Sequence, residues 1–283
     1  MELICEKRFL EDSDIKDRWE ILNPLSSTDS RIVPYKIWSL PGVGHPTKAV
    51  FYLHGLGGTL DACPVDLEDN ICPHEPLIRI ACYGLAGGFG NIARGMIATF
   101  GDVCASLHNG RQSIYTIADN LRLESYSIVA HSWGGFIASI AALNDTRCRK
   151  AMLLCSTPDI CDAICRILDL TGPVWPFAEL GGLWRIRQEA YKAKFGHSRY
   201  QDAWDAISPY GKIRNPGVKM LIFDREEDKL MRRWNVEHFI EHARTTDVNN
   251  ITAEFNSYSD LPDWHDMPPA KFIKRMTQFL FGE

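Results

Sequence analysis

The feature that most limits how this chain folds is a recurrence of short, nearly continuous apolar runs at residues 48–53, 125–130, 150–155 and 218–223, with helical patterning between most of them. A strand that alternates apolar and polar residues has one wet face. A strand that is apolar throughout has none, so it belongs in a sheet covered on both sides. Parallel strands need crossovers long enough to hold a helix, and those helices supply the cover. The pattern predicts an α/β architecture with a mostly parallel, eight-stranded sheet and helices on both faces. Its strands are expected at 3–9, 31–39, 48–53, 77–82, 125–130, 150–155, 218–223 and 251–258, the first two forming an antiparallel edge. At 283 residues, 45% of them hydrophobic, the chain can bury one large core.

In such sheets chemistry gathers at the carboxyl ends of the strands. The strand at 125–130 runs into Ala130-His131-Ser132-Trp133-Gly134-Gly135-Phe136. A serine at the tip of a sharp strand-to-helix turn takes a strained backbone conformation, and small residues two positions to either side avoid collision; Ala130 and Gly134 meet that demand. The turn also aims the first free N–H groups of the next helix at the space above Ser132 Oγ, where an oxyanion develops during acyl transfer. The strand at 48–53 ends in His54-Gly55-Leu56-Gly57-Gly58, whose glycines permit a sharp turn and leave backbone N–H groups uncovered. The N–H groups of Trp133 and Leu56 are the expected oxyanion donors. The strand at 218–223 leads into the acidic run Asp224 to Asp228, where an acid that orients a base belongs, and His265 precedes a final amphipathic helix.

These parts, in the order nucleophile, acid, histidine, resemble the α/β-hydrolase superfamily, in the branch with a helical cap, over nearly the whole chain. The resemblance implies Ser132 as nucleophile, His265 as base and Asp228 as the acid. Aligning Leu221 to Asp228 with a strand followed by a Gly-Glu-x-Asp turn selects Asp228 over Asp224, with Arg225 where relatives carry glycine. It further implies a serine hydrolase cleaving an ester or thioester of a small to medium, largely apolar acid through an acyl-enzyme, without cofactor or metal. Ser-Trp-Gly-Gly is also similar to prolyl aminopeptidases, whose loop reads His-Gly-Gly-Pro-Gly. Amide hydrolysis and carbon–carbon bond hydrolysis or lysis are therefore alternatives on the same scaffold, as is a non-catalytic ligand-binding protein.

Other candidates read as structural. His54 and His131 lie in the two turns and support them, and with Cys155 at the end of the sixth strand they are candidate pocket residues. His238 and His242 share a helix face at i, i+4 but lack a third ligand, so that face reads as solvated. The nine cysteines are scattered through apolar stretches and read as reduced, buried thiols; Cys161 and Cys165 lack a second ligand pair.

Residues 157–216, between the sixth and seventh strands, exceed a simple crossover and read as a helical cap on a core of 1–156 and 217–283. Trp175, Trp184 and Trp204 are its candidate pocket residues, an aromatic lid that favours an apolar substrate and excludes water. Arg185, Arg187, Lys192, Lys194 and Arg199 form a basic run that reads as a solvated helix face; the alternative is a site for a carboxylate, a phosphate or an acidic carrier.

A formal charge of −5 gives no support for nucleic-acid or anionic-membrane partners. The expected partner is a small acyl substrate, free or carrier-linked. No apolar run approaches the roughly 18 residues of a membrane span, and Met1 to Arg8 lacks the form of a signal peptide, which makes the cytoplasm the expected location.

Overall fold

Eight strands build one sheet: β1 (Ile4–Glu11), β2 (Ile32–Ser39), β3 (Lys48–Leu53), β4 (Leu77–Ile80), β5 (Ser125–His131), β6 (Cys148–Leu154), β7 (Lys219–Arg225) and β8 (Ile251–Asn256). The computed structural model describes residues 2–17, 32–42, 44–55, 60, 67–81, 100–158, 188–209, 213–226, 228, 231, 233–257 and 269–282. The strand order is β1-β2-β4-β3-β5-β6-β7-β8. β2 is antiparallel to both β1 and β4, and every pairing from β4 to β8 is parallel. The expected strands are all present, and their ends shift where ladder pairing overrides side-chain pattern. β6 starts two residues earlier than the apolar run because Cys148 pairs with Tyr126 across a register shift. β7 continues two residues beyond Phe223 because Asp224 and Arg225 pair with Phe255 and Asn256.

The helices are α1 (Leu67–Ile71), α2 (Phe100–Asn120), α3 (Trp133–Asn144), α4 (residues 188–195), α5 (His197–Ile207), α6 (Arg233–Thr245) and α7 (Pro269–Phe281). Alternation along each apolar strand sorts its side chains to opposite faces. In β3, Ala49, Phe51 and Leu53 join a core built with α2, α3, α5 and α6. Val50 and Tyr52 join a second core with Leu67 and Ile71 of α1 and Phe272, Met276 and Leu280 of α7. β7 divides likewise, Met220 and Ile222 to the first core, Leu221 and Phe223 to the second. The runs are continuous because both faces are dry. The edge strands are the exceptions: β1 has only Leu10 buried and β8 only Ile251, and Glu6, Lys7 and Arg8 place charge on the β1 edge.

α3 is buried along Gly134 to Leu143 because its glycines and alanines let it press onto the sheet. A Cβ on Gly134 would lie 2.6 Å from the Leu53 carbonyl oxygen and 2.7 Å from that of His54. This contact docks the start of α3 on the end of β3. Of the long segment between β6 and β7, the described part carries α4 and α5, with Tyr191, Ala203 and Ile207 packed into the first core. Its return is fixed by Asn215, whose buried amide donates to the carbonyls of Ala142, Asp145 and Cys148 at 2.8–3.0 Å. Cys72, Cys104, Cys148 and Cys155 are in no disulfide and are buried as expected; Cys5 is exposed because it lies on the open edge strand. Among the described residues no helix is long and apolar enough to cross a membrane.

Candidate active site

The parallel register aligns the strand ends that carry the chemistry. His131 pairs with Leu154, Leu154 with Phe223 and Phe223 with Glu254. Ser132, Cys155 and Asp224 therefore occupy the next row, at the carboxyl edge of three neighbouring strands. Strands stand about 4.8 Å apart, which puts the backbones of Ser132 and Asp224 roughly 10 Å from each other.

Ser132 sits between β5 and α3 with φ 48° and ψ −115°, a region suited to glycine. Three bonds hold it there. Its N–H donates to the Leu154 carbonyl at 2.9 Å, and its own carbonyl accepts from the Gly135 N–H and the Ser156 hydroxyl, both at 2.9 Å. Ser132 occupies the N-cap position of α3, yet its side chain does not cap the helix. Trp133 opens α3, so its N–H is among the helix's first donors, which have no intrahelical acceptor. Ser156 is a support that sequence reasoning overlooked; it also abuts Gly135, whose missing Cβ makes room for it.

His54 is buried at the end of β3, and its Nδ1–H donates to the Gly55 carbonyl at 2.7 Å. Burial lowers its affinity for a second proton, the bond to Gly55 opposing in part. It is therefore a neutral, fixed support for the turn. His131 is half-buried across from it, its Nδ1 2.9 Å from where a Gly55 Cβ would stand. This contact joins the two turns that the sequence paired. Cys155 has φ 44°, is fully buried, and its N–H donates to the Phe223 carbonyl at 3.2 Å.

The acidic side of the edge holds two carboxyl groups. Asp228 is buried just beyond β7; its N–H donates to the Arg225 carbonyl at 3.3 Å and its Oδ1 accepts the Met231 N–H at 3.0 Å. Asp224 is fully buried inside β7, its Oδ1 accepting the Arg225 N–H at 2.7 Å. Burial first, and the neighbouring Asp228 charge second, push the Asp224 carboxyl well above the usual carboxylate range. The sequence alignment singled out Asp228 and set Asp224 aside, whereas the fold brings both to one place. The available signal was the position of Asp224 directly after an apolar strand run. Among the described residues, Cys155, Asp224 and Asp228 are the set whose potential ligand atoms converge, all within 4.8 Å of one another.

His265, Leu56, Trp175 and Trp184 lie outside the described residues, although β8 reaches the same edge at Asn256 beside Arg225. Trp204 is half-buried on α5, edge-on to Tyr200 at 6.2 Å and packed against the first core. Of the basic run, Lys192 pairs with Glu189 at 2.7 Å and lies 4.4 Å from the Tyr200 ring, as expected of a solvated helix face; Arg185 and Arg187 fall outside the described residues. A surface cavity of about 190 Å³ near Arg8, His45 and Pro76 opens at the amino ends of β3 and β4, the opposite edge of the sheet.

No protein-family model matches the chain, and no curated protein matches it. In structure it is similar to prolyl oligopeptidase B from Galerina marginata, with TM-score 0.59 at 13% identity over 97% of this chain and 36% of that one. An acetyl xylan esterase from a Paenibacillus species gives TM-score 0.59 at 14% identity, covering 98% of this chain and 89% of the esterase. An esterase from Pyrococcus furiosus gives TM-score 0.53 at 13% identity, covering 88% and 85%. The chain thus spans about a third of the oligopeptidase and most of each esterase. It has the α/β-hydrolase fold.

Proposed function

We propose that the protein is a serine hydrolase that cleaves an ester or thioester of a small to medium, largely apolar acid through an acyl-enzyme. The observation that carries this reading is the backbone of Ser132, a serine rather than a glycine held at φ 48° and ψ −115° where a buried parallel strand becomes a helix. Such a conformation costs about 1–3 kcal/mol and persists only where the surroundings enforce it. Here the bonds from Leu154, Gly135 and Ser156 enforce it.

A serine hydroxyl is a weak nucleophile until a neutral imidazole takes its proton. In this reading His265 is that base, and Asp228 orients the ring and stabilises the imidazolium that forms. Attack on the acyl carbon produces a tetrahedral oxyanion facing the N–H groups of Trp133 and Leu56. Losing one such donor costs about 3–4 kcal/mol of transition-state stabilisation. Collapse expels the alcohol or thiol, which takes the proton from His265, and leaves the acyl group on Ser132. Water, deprotonated by the same imidazole, then releases the acid. The segment 157–216 acts as the cap, and Trp175, Trp184 and Trp204, together with His54, His131 and Cys155, border the acyl pocket. No step calls for a cofactor.

Labelling with a fluorophosphonate, alongside turnover of p-nitrophenyl esters of graded chain length, tests the reading. The expected result is stoichiometric label on the native protein, none on Ser132→Ala, and ester cleavage that depends on chain length. Equal labelling of both proteins, or none of either, refutes it.

A further inference from the structure

We propose that Asp224 is a positioning residue: it shares one proton with Asp228 and, as the neutral donor of that pair, holds the Asp228 carboxylate in place to orient His265. The proposal rests on the reading of Asp228 as the acid of a serine hydrolase. Its basis is an accounting of acceptors. Asp224 Oδ1 is satisfied by the Arg225 N–H and Asp228 Oδ1 by the Met231 N–H. Asp224 Oδ2 is buried and has no donor among the described residues. Carboxyl oxygens of both residues lie within 4.8 Å of each other and of Cys155 Sγ. Two ionised carboxylates so close in a dry site repel, and Asp224 Oδ2 would stay a buried acceptor without a donor. One proton removes both faults: it cancels a charge and turns the orphaned acceptor into a donor toward Asp228.

Among the described residues, the titratable and charged groups facing Asp224 are Cys155 from the end of β6, Arg225 from β7 itself and Asp228 beyond it. Arg225 favours the ionised form but ranks below burial and Asp228, both of which favour the proton. Asp224 is anchored in the ladder opposite Phe255, whereas Asp228 stands on the turn that follows. The rigid partner therefore holds the one on the turn, and nothing outside the protein is required.

Three variants and one spectrum test this. Asp224→Asn keeps the size and a neutral donor, Asp224→Leu removes the donor, and Asp228→Asn removes the charge. The expected result is kcat for Asp224→Asn close to the native value and kcat for Asp224→Leu lower by about 10- to 100-fold at unchanged KM, the range for losing a group that orients a working side chain. Asp228→Asn should be the least active of the three. The alkaline fall in native kcat should be absent from Asp224→Asn, because the amide has no proton to lose. Infrared difference spectra at neutral pH should show a protonated-carboxyl carbonyl stretch that disappears in Asp224→Asn. That band is independent of activity and of how well Asp224→Leu folds. Its absence from a native protein that labels at Ser132 overturns the proposal and leaves the hydrolase reading standing. An active Asp228→Asn beside an inactive Asp224→Asn reverses the roles and overturns it too, as does full activity in Asp224→Leu. Activity lost to a chelator and restored by Zn²⁺ also overturns it, since a cation rather than a proton would then join the carboxyls. A native protein that takes no label refutes the hydrolase reading, whichever way the band falls.

Discussion

Replacing Ser132 by glycine should make the protein more stable than replacing it by alanine, the reverse of the ordinary order of those residues. Both variants lose the hydroxyl, so their difference isolates the Cβ. At φ 48° and ψ −115° a Cβ-bearing residue carries about 1–3 kcal/mol of strain that glycine avoids. Glycine gives back about 0.5–1 kcal/mol because its unfolded chain is freer. The net advantage is on the order of 1 kcal/mol, which for a domain of this size raises Tm by roughly 2–4 °C. Calorimetric melting of the purified variants measures it, with urea unfolding as a check on ΔG. The same exchange at Ser139, inside α3, is the control: there glycine should be the less stable by about 1 kcal/mol, since that backbone is helical. Equal melting temperatures for Ser132→Gly and Ser132→Ala, or a higher one for alanine, would refute the argument that the turn is held against its own preference.

Three other outcomes follow from the contacts. Gly134→Ala should destabilise by at least about 1–3 kcal/mol, because the added methyl meets the backbone oxygens of Leu53 and His54 rather than a side chain that can swing away; it should also abolish fluorophosphonate labelling by shifting Ser132. Asn215→Leu should cost about 2–3 kcal/mol by leaving buried carbonyls without a donor, yet leave kcat unchanged, which thermal melts and initial rates together will show. Stability should fall as pH rises above about 4, where the unfolded Asp224 carboxyl ionises, until the folded one gives up its proton too, because over that interval the native state binds the extra proton. The slope from this group is about 1.4 kcal/mol per pH unit. Asp224→Asn should flatten it, gaining stability over the native protein at neutral pH and losing that advantage toward pH 4, and urea unfolding across that range will show whether it does.

The sheet was legible in the sequence because its strands are dry on two sides. Val50 and Phe51 are adjacent and both fully buried in opposite cores, which only a doubly covered strand allows. The antiparallel edge was legible as well, since β1 carries the run Glu6-Lys7-Arg8 in its middle where β3 runs apolar from Ala49 to Leu53. Strand order was not, because pattern says how wet a strand is and not which neighbour it chooses: β4 slots between β2 and β3. The elbow was legible through Ala130 and Gly134, and at Gly134 the close approach of β3 explains the small residue. The second carboxyl was missed for a reason of chemistry. An aspartate within a strand reads from sequence as a charge to be solvated, and only its burial beside Asp228 marks it as a carboxyl that keeps its proton. Ser156 was missed because a single hydroxyl after a strand has no pattern; it acquires a role only from the curl of Ser132 toward it.

The long excursion between β6 and β7 is clamped at both feet. Thr157 donates to the Asn235 side chain as the chain departs, and Asn215 closes three carbonyls as it returns. Both clamps reach residues outside the interval, Asn235 of α6 in one case and the backbone from Ala142 to Cys148 in the other. Within that interval Tyr191, Ala203 and Ile207 are held by the first core, and exposed positions such as Lys194 and His197 are free to change while both clamps hold. On the proposed reading of this interval as a cap, a change of substrate can be written in the arch while its two feet stay pinned.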